Sequence, residues 1–242
     1  MRLALSVVAL LALPAAASAA CADRGFEGGR FTVCDVSAAE DLRIFQTAPD
    51  GDPFGSFDRV NQALAAEGRA LGFAMNAGMY HPDRAPVGLM IEDGQERARI
   101  VTSDGPGNFG LLPNGVFCIA DTLSVVESRA FAAAPPACRY ATQSGPMLVI
   151  DGAIHPRFLP DSPSRYIRNG VGVSADGQRA WFVISQDRVN FTEFARFFRD
   201  ALGARDALYF DGNVSRLFAP EIGRDDIGFR MGPIVGTVVP AG

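Results

Sequence analysis

Two apolar stretches, Trp181-Phe182-Val183-Ile184-Ser185-Gln186-Asp187 and Asp206-Ala207-Leu208-Tyr209-Phe210-Asp211, flank a segment with helical periodicity in the last third of the chain. In that segment, apolar residues recur at the spacing of one helix face, at Phe191, Phe194, Ala195, Phe198, Ala201 and Leu202. Asn190 and Glu193 form the pattern of an N-cap with a capping box, and Gly203 is typical of a helix end. The sequence therefore predicts a strand-helix-strand unit.

Each predicted strand of this unit ends in a carboxylate, Asp187 in the first and Asp211 in the second. A crossover of this length is typical of parallel strands, whose carboxyl ends lie at the same edge of a sheet. That edge is where open α/β sheets usually bind ligands. We therefore expect Asp187 and Asp211 to face one crevice.

Upstream of this unit, the chain consists mainly of short apolar runs separated by turn residues. The runs predicted as strands cover residues 31–36, 42–46, 72–75, 88–92, 116–119, 147–150 and 171–174. Asp93-Gly94, Asp151-Gly152 and Asp176-Gly177 indicate hairpin turns, and residues 56–67 carry one helical pattern. The predicted fold is α+β, with a mixed multi-stranded sheet system, few helices and the C-terminal strand-helix-strand unit. No linker divides residues 21–242, which are predicted to form a single domain.

The first residues have the three regions of a secretory signal. Arg2 precedes an apolar run over residues 3–13, and Pro14 and a small-residue tract follow it. Residues 1–20 are therefore predicted to be a signal peptide, cleaved near Ala19, and the protein to be secreted or periplasmic. The run is too short to span a bilayer, so no membrane span is expected in the mature protein. Cys21 follows directly, which leaves lipid modification open.

The charge of the chain excludes several functions. Its formal net charge is −5, which disfavours a nucleic-acid partner. The sequence contains no lysine, so all 22 of its basic residues are arginines. This excludes a Schiff-base lysine, a phosphate-loop lysine and a serine-lysine catalytic pair. Any positive group in the site must be a guanidinium, which suits phosphate and carboxylate groups.

The four cysteines form two pairs that are close in sequence. In an exported chain this favours disulfides Cys21–Cys34 and Cys118–Cys138, although other pairings remain open. Their spacing does not fit a zinc site. The acidic loops Asp50-Gly51-Asp52 and Asp225-Asp226 lack the spacing of a known calcium loop, although a structural calcium ion stays open. We predict no metal or other cofactor in the site.

Three further segments are richer in turn and polar residues than a scaffold requires: Asn76-Ala77-Gly78-Met79-Tyr80-His81, Gln143-Ser144-Gly145-Pro146-Met147-Leu148, and Arg165-Tyr166-Ile167-Arg168-Asn169-Gly170-Val171-Gly172-Val173. Together with residues 208–215, their order and spacing resemble the phosphodiester glycosidase family, from about Asn76 to Val235. This resemblance implies an exported hydrolase that cleaves a sugar-1-phosphodiester between the sugar and the phosphate. Ala77 and Asn213 stand where the family usually has glycine. Asparagine tolerates a left-handed backbone best among other residues, so Asn213 is expected to preserve the turn.

The chemistry of this reaction indicates which residues matter. Cleavage of a glycosyl phosphate develops positive charge on the sugar and releases a phosphate, so it needs a carboxylate and a cation. Asp187 and Asp211 are predicted to supply the carboxylates, and Arg168 is predicted to bind the phosphate through its fork of donors. The residues predicted to bind substrate are Asn76, Gly78, Gln143, Ser144, Gly212 and Ser215.

Structural interpretations compete with these roles. Aspartate followed by glycine after a strand is ordinary turn chemistry, and Arg168 could be an ion-pair partner. The alternative function is a non-catalytic binding module for a surface glycan or a phosphate-containing polymer. Loss of a site aspartate separates these two functions, because an enzyme then loses rate while a binding module loses affinity.

Overall fold

The computed structural model describes residues 19–242, so residues 1–18 of the predicted signal peptide lie outside the described part. Its strands are β1 (Ala20–Phe26), β2 (Gly29–Ser37), β3 (Leu42–Phe45), β4 (Arg69–Asn76), β5 (Met90–Glu92), β6 (Gln95–Ala98), β7 (Gly115–Ile119), β8 (Leu123–Glu127), β9 (Tyr140–Ser144), β10 (Met147–Ile150), β11 (Ala153–Ile154), β12 (Asn169–Val173), β13 (Arg179–Ser185), β14 (Asp206–Asp211), β15 (Leu217–Ala219), β16 (Arg224–Asp225) and β17 (Ile234–Pro240). The α-helices are α1 (Phe57–Ala65), α2 (Ser128–Ala133) and α3 (Phe191–Arg196).

These strands form three sheets. The first sheet has the order β1-β2-β13-β12-β14-β10-β11, the second β16-β15-β4-β17-β3 and the third β6-β5-β9-β7-β8. The predicted α+β class with few helices is confirmed. Within the described residues the strand pairs are antiparallel. The sequence predicted mixed sheets, and this part of the prediction is wrong.

The C-terminal strand-helix-strand unit is confirmed as β13, α3 and β14. β12 pairs antiparallel with both strands, so β13 and β14 run in the same direction without being neighbours. This insertion explains why a parallel crossover adds no parallel pair to the sheet. Helix α3 begins with the predicted capping box of Asn190 and Glu193, and a π-helical turn (Phe197–Ala201) extends it toward Gly203.

The three sheets share one core. The Phe182 ring of the first sheet lies 5.0 Å from the Phe73 ring of the second and 5.6 Å from the Phe117 ring of the third, measured between ring centroids. All three side chains are fully buried, and burial of each stabilises the fold by roughly 1.5–3 kcal/mol. Helix α3 covers the other face of the first sheet through Phe194, which packs near Phe31.

Both predicted disulfides are present. Cys21–Cys34 joins two residues that face each other on β1 and β2, and Cys118–Cys138 ties β7 to the segment before β9. No cysteine of the described residues is free. The turn at Asp93-Gly94 joins β5 to β6, and the turn at Asp151-Gly152 joins β10 to β11, as the sequence indicates.

None of the helices in residues 19–242 is long and apolar enough to cross a bilayer. Of the acidic loops considered for calcium, the first places Asp50 2.6 Å from the Arg59 guanidinium, and the second places Asp226 2.9 Å from that of Arg224. The described part of the chain has no cluster of three or more acidic, histidine or cysteine side chains suited to a metal. A structural calcium ion stays an untested expectation.

Candidate functional site

A cleft of about 550 Å³ opens beside the ends of β4 and β14. Three tyrosines, Tyr80, Tyr166 and Tyr209, form much of its wall, and Asp211 is the charged residue in its lining. The other lining residues are Met79, Val87, Gly107, Asn108, Ser164, Gly212, Asn213 and Val214. We name this space the Asp211 cleft. Its aromatic walls and uncharged polar groups suit an uncharged polar ring such as a sugar.

Asp211 is the last residue of β14, and the turn that follows it forms hydrogen bonds with its carboxyl group. Its Oδ1 accepts hydrogen bonds from the backbone N–H groups of Gly212 and Asn213, at 2.6 and 2.9 Å. Burial raises the pKa of Asp211, and the backbone N–H groups of Asn213, Gly212 and Val214 oppose that rise. A carboxyl group that is partly desolvated and fixed in direction is typical of a catalytic position.

Two fully buried asparagines, Asn76 at the end of β4 and Asn169 at the start of β12, bond to each other through their amides. Asn76 Nδ2 donates to Asn169 Oδ1 at 3.1 Å, and Asn169 Nδ2 donates to Asn76 Oδ1 at 3.0 Å. We name them the asparagine pair. It connects the first sheet to the second directly beneath the Asp211 cleft.

The asparagine pair also holds both ends of the turn that carries Asp211. Asn169 Oδ1 accepts from the Asp211 N–H at 3.2 Å, and Asn76 Oδ1 accepts from the Arg216 N–H at 3.0 Å. The Ser215 hydroxyl lies 3.3 Å from Asn169 Oδ1 and 3.0 Å from the Asp211 carbonyl oxygen. Asn76 and Ser215 therefore support the site from below and do not line the cleft.

Gly212 occupies a position where no larger residue fits. A Cβ atom at this position would lie 2.2 Å from the Tyr209 hydroxyl oxygen, which is far inside van der Waals contact. Tyr209 is almost fully buried, and burial raises the pKa of its hydroxyl. Gly212 thus lines the cleft as expected, and it also admits the Tyr209 hydroxyl to the cleft wall.

Arg168 does not line the cleft, contrary to our prediction that it binds phosphate there. Its side chain is only 1% exposed, donates to the carbonyl oxygens of Val189 and Ser164 at 2.9 Å each, and lies 3.8 Å above the Phe191 ring. Burial lowers its pKa. Arg168 directly precedes β12, and its side chain packs against Phe191 of α3, so it supports the wall formed by Tyr166 and Tyr209.

The structure separates Asp187 from Asp211, contrary to the expectation of one crevice. Asp187 accepts from the Arg30 backbone N–H at 3.1 Å and from its guanidinium at 3.2 Å, and it lines a different cavity of about 410 Å³ beside Gly28 and Gly29. The Arg30 guanidinium lowers the pKa of Asp187. Because β12 lies between β13 and β14, Asp187 turns toward β2 while Asp211 lies against Asn169.

The remaining predicted substrate ligands are supporting residues. Gln143 Oε1 accepts from the Leu89 and Val101 N–H groups, and its Nε2 donates to the Val101 carbonyl oxygen and the Ser128 hydroxyl. Its amide is therefore fully hydrogen-bonded within the protein. The buried Ser144 hydroxyl donates to the Phe210 carbonyl oxygen at 2.9 Å. At Gly78 a Cβ would lie 3.0 Å from Thr142 Oγ1, so this glycine lets the strand end pack closely before Met79 and Tyr80 enter the cleft.

Asn213 does not hold a left-handed turn. Within residues 19–242 the non-glycine residues with positive φ are Glu27, Arg84, Asp93 and Asp151. Asn213 is instead exposed on the cleft lining. The turn after Asp211 is present, since Asp211 Oδ1 accepts from the Gly212 and Asn213 N–H groups, so it is preserved without a left-handed residue at position 213.

The tyrosine wall and Asn169 were not predicted from the sequence. A signal for the wall was present, because Tyr80, Tyr166 and Tyr209 are three of the four tyrosines in the chain, and each lies in one of the polar segments or strand ends already singled out. Asn169 follows Arg168 in the same segment. Asn108 carried no signal, because its loop reaches the cleft only through tertiary folding.

Comparison with known proteins identifies the family. The model of the phosphodiester glycosidase family matches residues 70–225. The uncharacterized protein YigE of Escherichia coli is 36% identical over 180 residues, which cover 74% of this chain and 70% of that protein. The zebrafish N-acetylglucosamine-1-phosphodiester alpha-N-acetylglucosaminidase catalytic domain, auto-inhibited by its pro-peptide, is similar in fold, with a TM-score of 0.62 at 12% identity, over 90% of this chain and 81% of that one. The chain therefore belongs to the phosphodiester glycosidase family.

Proposed function

We propose that this protein hydrolyses a glycosyl phosphodiester between the sugar and the phosphate, with Asp211 as its catalytic residue. One observation carries the proposal: Asp211 is the charged residue in the lining of the tyrosine-walled cleft, and its pKa is raised by burial. Membership of the phosphodiester glycosidase family supports the reaction class. The zebrafish protein of similar fold supports it further, because its name is that of a glycosidase acting on a phosphodiester.

A single carboxylate is sufficient for this chemistry. Water adds its oxygen to the anomeric carbon while the bond from that carbon to the phosphate oxygen breaks. The electron pair of that bond leaves with the phosphate, which is a stable anion and needs no proton from a general acid. In the proposed mechanism the ionised Asp211 carboxylate stabilises the positive charge on the sugar and accepts the proton that the water loses.

The surroundings of Asp211 favour such a role over that of a simple turn former. Tyr80 and Tyr166 are partly exposed and can pack against a sugar ring and bind its hydroxyls, whereas Tyr209 lines the cleft with only 1% of its surface exposed. The asparagine pair fixes the backbone of Asp211, so the carboxyl group needs little reorganisation when substrate binds.

We also propose that the protein acts outside the cytoplasm. Both disulfides fit an oxidising compartment, and the first residues have the pattern of a signal peptide. This would direct the enzyme to phosphodiester-linked sugars of an extracytoplasmic glycan or glycolipid.

The test is incubation of residues 21–242 with a panel of sugar-1-phosphodiesters that differ in sugar and anomeric configuration. Mass spectrometry should detect the free sugar and the phosphate monoester in equal amounts from at least one member. Isotopically labelled water should place its oxygen in the sugar and not in the phosphate. Release of labelled phosphate instead would show a phosphodiesterase and contradict the proposal.

A second candidate is a binding module that uses the same cleft without turnover. The observation in its favour is that Asp211 is the single carboxylate of the lining, whereas glycosidases usually employ a pair. Asp211→Asn separates the two functions. An enzyme variant should retain affinity for the diester and lose turnover, and a binding module should show no turnover even with Asp211 intact.

A further inference from the structure

Arg216 is a buried cation that has no ion-pair partner among residues 19–242. Its side chain is buried, at 8% exposure, yet its one hydrogen bond with the described residues is the backbone N–H bond to Asn76 Oδ1. Burial lowers the pKa of Arg216, and the charges of Tyr80 and Asp226 oppose that fall only in part. Buried charges in folded proteins are normally paired, so this one lacks its counterpart.

Arg168 is also a buried cation without an ion-pair partner among residues 19–242, and the two arginines differ in their other contacts. Arg168 is more deeply buried, but it donates to two carbonyl oxygens and lies on the Phe191 ring. Its Nη1 atom is sealed from solvent without a partner. No nitrogen of Arg216 is sealed in that way, so solvent still reaches its guanidinium. The Arg216 guanidinium is therefore in contact with solvent, whereas Arg168 Nη1 is not.

The space around the Arg216 guanidinium is kept clear by a glycine. Gly228 has a φ of +150°, and a Cβ at this position would lie 2.6 Å from Arg216 Nη2. At Gly228, the loop over residues 226–232 therefore packs its backbone against one side of the guanidinium, where no side chain would fit. The same loop meets the cleft wall, since the Tyr80 hydroxyl lies 3.4 Å from the Arg230 carbonyl oxygen.

Tyr80 of the cleft wall senses both this cation and the proposed catalytic carboxyl group. Burial and the charge of Asp211 raise the pKa of the Tyr80 hydroxyl, and the charges of Arg84 and Arg216 partly oppose that rise. The Arg84 guanidinium lies 5.2 Å from the centre of the Tyr80 ring. Two guanidinium groups and one carboxyl group thus surround a single tyrosine of the cleft wall.

We propose that Arg216, assisted by Arg84, is the phosphate-binding site of this protein, with Tyr80 marking the boundary between the sugar and phosphate positions. This inference rests on the proposed function and replaces Arg168 in the role that the sequence suggested. A guanidinium fork matches two oxygens of a phosphate group, and the bound anion would supply the missing partner of the buried charge.

The asparagine pair anchors the backbone of both residues in this arrangement. Asn169 holds the N–H of Asp211 and Asn76 holds the N–H of Arg216, so both ends of one short turn are anchored to the same pair of amides. The backbones that carry the carboxyl group for the sugar and the cation for the phosphate are therefore anchored by one buried element.

The first test is Arg216→Gln, with Arg230→Gln as the matched control. Arg230 lies in the same loop, is exposed and donates to the Pro53 carbonyl oxygen, so its loss should leave phosphate binding unchanged. Arg216→Gln should weaken binding of inorganic phosphate, measured by calorimetry, and raise the KM of a cleaved phosphodiester, each by about tenfold or more. Hydrolysis of any neutral glycoside of the same sugar should change equally little in both variants.

A second pair of variants keeps the Arg216 charge and changes the residue that packs against its guanidinium. Gly228→Ala should displace the guanidinium and weaken phosphate binding, whereas Gly223→Ala should not, because Gly223 also has positive φ but has open space around it. These variants keep the test decisive if Arg216→Gln fails to fold.

Unchanged phosphate binding in both Arg216→Gln and Gly228→Ala would overturn the inference, even if the protein cleaves phosphodiesters. Conversely, if no diester is cleaved, the proposed function fails while the phosphate titration still decides the role of Arg216. An equal loss of phosphodiester and neutral-glycoside activity would assign Arg216 a purely structural role and also overturn the inference.

Discussion

Asp187 and Asp211 follow or end two strands that run in the same direction, yet they lie in chemically different cavities. Asp187 is 42% exposed and ion-paired with Arg30, which lowers its pKa, whereas Asp211 lies between tyrosines and backbone N–H groups, and burial raises its pKa. Their sequence contexts look alike. Both carboxylates lie at strand ends, so that position does not explain the difference. The neighbouring strands in the sheet decide whether a carboxylate forms an ion pair or is buried without one.

The largest expected effect is on turnover. Asp211→Asn should lower kcat by at least about a hundredfold, because the amide can neither take a proton from water nor stabilise the sugar cation to the same extent. Asp187→Asn is the matched control and should keep nearly full turnover. Steady-state kinetics on the phosphodiester found in the panel measure both. If Asp187→Asn lost as much turnover as Asp211→Asn, the two cavities would have to act together.

The next effect concerns the asparagine pair beneath the Asp211 cleft. Asn169→Ala removes the acceptor for the Asp211 N–H and the partner of Asn76, so we expect a loss of about 2 kcal/mol in the free energy of unfolding. We also expect a fall in kcat of about tenfold with little change in KM, because the proposed catalytic carboxyl group is displaced while the cleft wall remains.

Ser215→Ala serves as the control for Asn169→Ala, since it removes one hydroxyl near the same turn and leaves the asparagine pair intact. Its effect on kcat should be several times smaller. A variant of Asn169 that lost stability but kept the wild-type kcat would show that the pair stabilises the fold without positioning Asp211.

A third prediction concerns Arg168, which the sequence predicted to bind phosphate but which is buried in the structure. Arg168→Lys should cost about 1–3 kcal/mol in the free energy of unfolding, since one ammonium group cannot satisfy both carbonyl oxygens and also cover the Phe191 ring. At a temperature where the variant is folded, its KM for the phosphodiester should stay near the wild-type value. A tenfold rise in KM would return Arg168 to the phosphate site.

The smallest effect is the pH dependence of stability, which should have opposite signs at the two aspartates. The raised pKa of Asp211 means that the folded state binds its proton more tightly than the unfolded state. Its contribution to stability is present below the unfolded pKa and is lost as pH rises through the folded pKa. Asp211→Asn should therefore raise the Tm at neutral pH, and this gain should shrink on acidification.

Asp187 should behave in the reverse way. Its lowered pKa contributes stability above the unfolded pKa, and this is lost as pH falls through the folded pKa. Asp187→Asn should therefore lower the Tm slightly at neutral pH and leave it unchanged in acid. Thermal unfolding of both variants at several pH values measures the two trends, and the same sign in both would contradict the assigned environments.

Local patterns predicted much of the fold, because they depend on neighbours along the chain. The capping box at Asn190 and Glu193, the hairpin turn at Asp93-Gly94 and the pairing of Cys21 with Cys34 involve residues close in sequence, and all are confirmed. The insertion of β12 between β13 and β14 could not be read locally. The strand order depends on tertiary contacts. Because β12 separates β13 from β14, the expectation that Asp187 and Asp211 share one crevice is wrong.

The candidate site divides along the same line. The sequence pointed to Asp211 and Gly212 because a strand end and a turn glycine leave local signals, and both residues line the cleft. Gln143, Ser144 and Arg168 belong to the same motifs, but their side chains point into the core to support loops and walls. A motif shows that a segment matters. It does not show whether a given side chain faces the ligand or the scaffold.

The sequence by itself determined the family, the α+β class, the disulfides and the absence of lysine, because each of these follows from residue types and their spacing. Only the tertiary structure decided which of the two carboxylates has no ion pair among residues 19–242 and which buried guanidinium stays in contact with solvent. The reason is physical. The pKa and the availability of a charged group depend on burial and on partners such as Arg30 for Asp187, which lies far away along the chain. The folded sheets set those distances, and no local pattern encodes them.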